Sequence, residues 1–187
     1  MHNCKLSVII PTYNRKETLI QAINSVLDQT FNDYEIIIID DGSTDCTAKA
    51  VKQIRCDRLR YYRQPNSGVS SAKNLGLSKA RGQIACFLDS DDLYTSRTLE
   101  YFDLAFQKYP EAAIVFGKYS SNSLNINDND LPKFIPCDVY TKLVYRNVVS
   151  SNIAVKTDIA RKVQYCEKIS TAEDYQFALD VARDNSA

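Results

Sequence analysis

"YEIIIIDDGSTD", residues 34–45, is the stretch on which the fold turns. Four consecutive isoleucines, 36–39, leave neither face polar, the pattern of a strand buried on both sides. Two aspartates and a glycine end the run at once. Ser43 or Thr44 is placed to cap a helix reaching about Ile54. A doubly buried strand that feeds a helix is the repeating unit of a parallel sheet with helices on both faces.

Working outward, the unit recurs. "LSVII", 6–10, is a short β-branched strand closed by Pro11. Asn14, with Glu17 three residues on, is the expected capping box of a helix carrying Leu19, Ile20, Ile23, Val26 and Leu27 at helical spacing. Leu59–Arg63 reads as a third strand, followed by a loop at 64–68 and a helix from Ser70 to about Ala80. Ile84–Leu88 is a fourth strand, closed by Asp89. Leu99, Phe102, Phe106 and Tyr109 mark a fourth helix that Pro110 ends, and Ala112–Phe116 is a fifth strand. This alternation predicts an α/β chain, a Rossmann-like, mostly parallel sheet flanked by helices on both faces. After Tyr119 the polar run "SSNSLNINDNDLP" reads as a long surface loop. A short helix at Val139–Arg146, a strand at Asn152–Val155, a helix at Thr157–Val163 and a last helix from Ala172 to about Arg183 complete a single domain, 1–187.

Composition removes several classes. Lys plus Arg and Asp plus Glu are 23 each, so no net field draws in nucleic acid or an anionic membrane. No run approaches 18 apolar residues, and no signal peptide is expected. The six cysteines are scattered without a CxxC, which argues against a disulfide scaffold or structural zinc and for reduced thiols in the cytoplasm. His2 is the single histidine and lies at a terminus, so Ser-His-Asp and Cys-His chemistry have no partner.

Ligands of open parallel sheets bind at the carboxyl ends of strands. Two acidic clusters fall there, Asp40-Asp41 and Asp89, Asp91 and Asp92 of "CFLDSDDLY". One aspartate at a strand end is an ordinary cap; two clusters in one sheet point to a ligand. With five glycines in all, neither GxGxxG nor GxxxxGK[ST] occurs, so a diphosphate would be held through a hard cation. If the segment stays extended, Asp89 and Asp91 point the same way about 6–7 Å apart and share one Mg²⁺ or Mn²⁺. Near the C-terminus, Asp174 falls on one helix stripe with Phe177, Ala178 and Val181, at the mouth of a buried face.

With "SVIIPTYNR" (7–15), "EIIIIDDGSTD" (35–45), "NSGVSSAKNLGL" (66–77), "FLDSDD" (87–92) and "AEDYQFAL" (172–179) in this order, the chain resembles family 2 glycosyltransferases of the GT-A fold. The resemblance covers nearly the whole chain, with a nucleotide-binding part at about 1–119 and an acceptor-side part at about 120–187. It implies an inverting transfer of a sugar from a nucleoside-diphosphate sugar, a UDP-sugar by expectation, to a hydroxyl of a glycan or lipid-linked acceptor. It also implies the site residues. Pro11, Thr12 and Tyr13 would wall the base and ribose, and Asp40 with Asp41 would hydrogen-bond the base. Asn66, Gly68, Lys73, Asp89 and Ser90 would hold the rest of the nucleotide. Asp91 and Asp89 would bind Mn²⁺ or Mg²⁺. Asp174 would be the general base, with a smaller claim for Glu173.

The chain departs from the family pattern at four places. Lys73 stands where an arginine is usual, and its alternative reading is a solvated helix face. The glycine and aromatic that usually precede the acidic motif are replaced within "VQYCEKISTAED", 163–174. No QxxRW follows, which disfavours a processive synthase. The early C-terminus reads as a truncation of the acceptor side. Peripheral contact with the inner face of the membrane is compatible with the family. The competing expectations are a nucleotide-sugar-binding domain without turnover and, further off, a nucleotidyltransferase.

Overall fold

The computed structural model describes residues 4–117, 152–169 and 171–185. The expected helix at 139–146 and the polar loop lie outside these residues. The described residues form one six-stranded sheet in the order β3-β2-β1-β4-β6-β5. The strands are β1 (Leu6–Thr12), β2 (Tyr34–Asp40), β3 (Leu59–Arg63), β4 (Ile84–Phe87), β5 (Ile114–Phe116) and β6 (Ile153–Lys156). The helices are α1 (Lys16–Leu27), α2 (Thr47–Val51), α3 (Val69–Lys79), α4 (Thr98–Lys108), α5 (Thr157–Val163) and α6 (Glu173–Asn185). Pairing is parallel from β3 through β4, and β6 runs antiparallel between β4 and β5.

Alternation along the central strands divides the core in two. Val8 and Ile10 of β1 and Ile36 and Ile38 of β2 face α1 and α4, where they meet Leu19, Ile23, Leu99 and Phe102. Ile9, Ile37 and Ile39 face the other way, with Ala72 and Leu77 of α3 and Phe177 and Val181 of α6. All four isoleucines of β2 are fully buried, each contributing roughly 2 kcal/mol of apolar transfer energy. A Cβ at Gly76 would lie 2.4 Å from Ile9 Cγ2, so α3 sits on β1 at a distance that only glycine permits. The chain leaves β1 toward β2 and β3, then crosses back over α3 to β4. This places a topological switch between β1 and β4, where α/β sheets open a crevice.

Two expected caps are not the ones used. Helix α1 begins at Lys16 with Arg15 as N-cap and no side-chain cap bond, and Glu17 pairs with Lys16 instead. Asn14 adopts a left-handed φ of 52°, and its Oδ1 accepts from the N–H groups of Thr44 (2.7 Å) and Asp45 (3.3 Å). Helix α2 starts at Thr47 and ends at Val51, short of Ile54. Asp45 Oδ1 accepts from Thr47 N–H, while Ser43 Oγ accepts from Asn14 N–H. Cap-type side chains here join one βα loop to the next, a role that spacing within a single helix does not reveal.

Candidate active site

The carboxyl ends of β1, β2 and β3 form a braced rim. Asp41 Oδ1 accepts from Gln64 Nε2 and Ser67 N–H, and its Oδ2 accepts from Gly68 N–H, all at 2.8 Å. Gly42, at φ 85°, lets the chain turn beneath Asn66; a Cβ there would lie 2.8 Å from Asn66 N. Asp40 departs from expectation. It is 0% exposed, its Oδ1 accepts from Ser43 N–H at 2.7 Å, and its Oδ2 accepts from the Tyr61 hydroxyl. Burial first, and the Asp40 carboxylate second, hold the Tyr61 hydroxyl well above its usual range, so it remains a donor. Asp40 is therefore a buried clasp between strand ends and offers no surface to a base. Pro11 and Thr12 are buried, while Tyr13, Asn66 and Gly68 are exposed on the rim. Thr12 Oγ1 is buried and has no hydrogen-bond partner among the described residues.

The acidic turn after β4 also differs from the extended segment expected. Asp92 N–H donates to Asp89 O at 3.0 Å and closes a β-turn over residues 89–92. The turn sends Asp89 and Asp91 to different partners. Asp91 forms a 2.5 Å ion pair with Arg15 and stays half exposed. Asp89 faces the ammonium of Lys73 at 3.8 Å. Burial pushes its carboxyl up to about 6, against the pull of Lys73. Ser90, between them, is buried. Among the described residues no three His, Cys, Asp or Glu side chains converge into an enclosed metal site. Two carboxylates on one turn fit a hard cation that completes its shell with diphosphate oxygens and water.

Lys73 is the hub of the site. The alternative of a solvated helix face is overturned, because its side chain is 1% exposed. Its Nζ donates to Asp174 Oδ1 at 2.8 Å and Glu173 Oε1 at 3.2 Å, besides facing Asp89. Burial alone would pull this ammonium down; the carboxylates of Asp174, Asp89 and Glu173 outweigh it and hold it above the ordinary lysine value. Glu173 and Asp174 open α6, where the helix dipole favours carboxylates. The expected stripe is present: Phe177, Ala178 and Val181 are buried beneath Asp174.

Sequence reading missed three participants. Arg15 lies in the quoted motif but receives no role until the fold brings it to Asp91. Tyr61 is half-buried in β3 like any strand aromatic. Tyr165 lies in a loop with no periodicity, and its hydroxyl donates to Asp174 Oδ1 at 3.0 Å. A hollow of about 390 Å³ lined by Lys5, Ile84, Asp103, Phe106 and Lys156 lies at the amino end of β4 and shares no residue with this site.

Sheet order, switch point and acidic turns together define the GT-A class of α/β folds. The chain belongs to glycosyl transferase family 2, whose model matches residues 7–163. It is similar to an uncharacterized glycosyltransferase of Rickettsia felis, 33% identical over all of this chain and 31% of the relative. Staphylococcus aureus TarS 1–349 in complex with UDP superposes with a TM-score of 0.77 at 24% identity, covering 95% of this chain and 55% of that one. The Pyrobaculum calidifontis mannosyltransferase PcManGT in complex with GDP-Man and Mn²⁺ gives 0.74 at 19% identity, covering 96% and 52%. The chain spans between a fifth and a third of the length of the first three curated relatives it matches.

Proposed function

We propose that this chain carries the donor site and general base of an inverting, metal-dependent glycosyltransferase that uses a uridine-diphosphate sugar. The observation that carries the reading is Lys73, one buried ammonium that joins the acidic turn after β4 to the first turn of α6. The group expected to handle the diphosphate and the group expected to handle the acceptor thus belong to one cluster. The UDP bound to TarS and the GDP-Man and Mn²⁺ bound to PcManGT support a nucleotide-sugar donor and a divalent ion.

In this reading Pro11, Thr12, Tyr13, Asn66 and Gly68 wall the nucleoside. Asp41, which has one donor on Oδ2 and a lone pair to spare, hydrogen-bonds the base in place of Asp40. Asp89 and Asp91 hold Mn²⁺ or Mg²⁺, which supplies counter-charge for the departing diphosphate. Asp174 takes the proton from the acceptor hydroxyl as that oxygen attacks the anomeric carbon. Lys73, 2.8 Å from Oδ1, holds this carboxylate in place until then. Two substrates aligned across one cleft supply much of the remaining acceleration. No covalent sugar-enzyme adduct is needed. The acceptor class is a growing glycan or lipid-linked saccharide on the cytoplasmic side, by family resemblance.

Calorimetric titration of UDP, with GDP as control, with and without Mn²⁺, tests the reading on wild type and Asp91→Ala. Mn²⁺-dependent UDP binding weakened at least ~10-fold in the variant is expected, since one charged ligand of the ion is removed. Absence of UDP binding in the presence of Mn²⁺ refutes it. UDP binding with neither transfer nor hydrolysis of any UDP-sugar favours a binding domain without turnover.

A further inference from the structure

We propose that Tyr165 is a positioning residue for Asp174, and that together with Lys73 it makes Oδ2 the oxygen that receives the acceptor's proton. The proposal rests on Asp174 as the base. Two donors converge on the same atom: Lys73 Nζ at 2.8 Å and the Tyr165 hydroxyl at 3.0 Å both reach Oδ1. A carboxylate oxygen accepts about two hydrogen bonds in its plane, so Oδ1 is saturated. Oδ2 has no donor among the described residues, and the side chain keeps 15% of its surface. The reactive lone pairs are therefore on the oxygen turned away from Lys73.

The hydroxyl is not required by packing. The Tyr165 ring stacks on Phe177, centroids 4.1 Å apart and planes 7° apart, and meets Phe87 edge-on at 5.2 Å. Phenylalanine would satisfy both contacts. A buried hydroxyl persists where it has a partner, and the partner here is the base.

The loop that carries Tyr165 is correspondingly over-determined. Asn74, next to Lys73 on α3, grips the Tyr165 backbone twice: Tyr165 N–H donates to Asn74 Oδ1 at 2.8 Å, and Asn74 Nδ2 donates to Tyr165 O at 2.9 Å. Gln164 and Ala172 bracket the loop in left-handed conformations, φ 56° and 60°, unusual for residues with a Cβ. Strain held at both ends of a loop fits a hydroxyl that must be aimed. Consecutive residues of one helix thus hold the base by two arms, Lys73 directly and Asn74 through Tyr165.

The test is a carboxyl ¹³C titration of Asp174 in the labelled full chain, with Asp174→Asn to assign the signal. The charged groups facing Asp174 are Lys73 from α3, Glu173 from its own helix and Asp89 from the turn after β4; Tyr165→Phe leaves all three in place. Losing a donor to the ionised form raises the Asp174 midpoint, by about one pH unit, with the melting temperature nearly unchanged. Asn74→Ala, which releases the loop but keeps the hydroxyl, moves the midpoint the same way. An unmoved midpoint in both variants overturns the proposal. Sugar transfer by Asp174→Asn at the wild-type rate would instead remove the base itself, a separate failure that the titration does not share.

Discussion

Replacing Lys73 by methionine is the most informative perturbation of this protein. Methionine keeps the length and flexibility of the stem and removes the charge. Three carboxylates then lose their common cation: Asp174 at 2.8 Å, Glu173 at 3.2 Å and Asp89 at 3.8 Å. Breaking a buried ion pair from one side costs roughly 3–5 kcal/mol. The carboxylate side chains retain 15%, 16% and 33% of their surface, so water relieves part of this and the low end, about 3 kcal/mol, applies. For a chain of this size that is a fall in melting temperature of roughly 6–12 °C. The loss depends on pH with a definite sign. The raised value of Lys73 contributes stability that is whole below the unfolded lysine value and is lost as pH rises through the folded one, so it leaves no trace between pH 5 and 8. Asp89 does leave one. Burial already raises its carboxyl to about 6, and without the pull of Lys73 it binds its proton more tightly still, so the variant loses more stability than wild type as pH rises from 5 to 8. Calorimetric melts of both proteins at pH 5 and 8 check this. A variant that melts within about 2 °C of wild type at both pH values, well inside the shift expected above, refutes the hub.

Two further outcomes follow from the same geometry. Burial sets the Asp89 carboxyl at about 6, and a cation binds the ionised form, so Mn²⁺ affinity should be flat above that pH and fall about tenfold per unit below it. Manganese titrations at pH 5, 6 and 7 that give one affinity would remove Asp89 from the ligand set. Gly42→Ala forces a side chain into φ 85° and brings a Cβ to 2.8 Å from Asn66 N, so urea unfolding should show a loss of about 2 kcal/mol, more than the strain of a left-handed residue alone. A loss under ~0.5 kcal/mol, the size of an ordinary surface change, would mean that the rim yields easily.

Much of the fold was legible because the four isoleucines of β2 admit a single reading, a strand buried on both faces. Thr157–Val163 is a helix at the expected residues, and Leu59–Arg63 is a strand at the expected residues. The site was legible as a set of acids at strand ends and less so as geometry. Asp40 and Asp41 are adjacent in sequence, yet one is sealed by Tyr61 and the other braces a loop 26 residues away, and no local pattern separates these fates. The extended arrangement of Asp89 and Asp91 failed because a β-turn closes there. Lys73 was expected to hold the nucleotide or to face solvent, and neither reading anticipates Glu173 and Asp174, a hundred residues on. Apart from that local turn, each miss concerns a partner supplied by tertiary contact, which composition and spacing do not encode.

The interlocked loops at the ends of β1, β2 and β3 have a thermodynamic consequence. Asn14 bonds to the backbone of Thr44 and Asp45, and Asp41 to that of Ser67 and Gly68, so the rim proposed to wall the nucleoside is assembled without a ligand. The turn carrying Asp91 meets this scaffold through Arg15 in an exposed ion pair, a contact that salt weakens. One rim of the sheet end is tied by backbone hydrogen bonds, the other by an exposed ion pair. Under the proposed function, a nucleotide would meet a rim already ordered at its base and an exposed ion pair at its diphosphate, so ionic strength is expected to change affinity chiefly at that end.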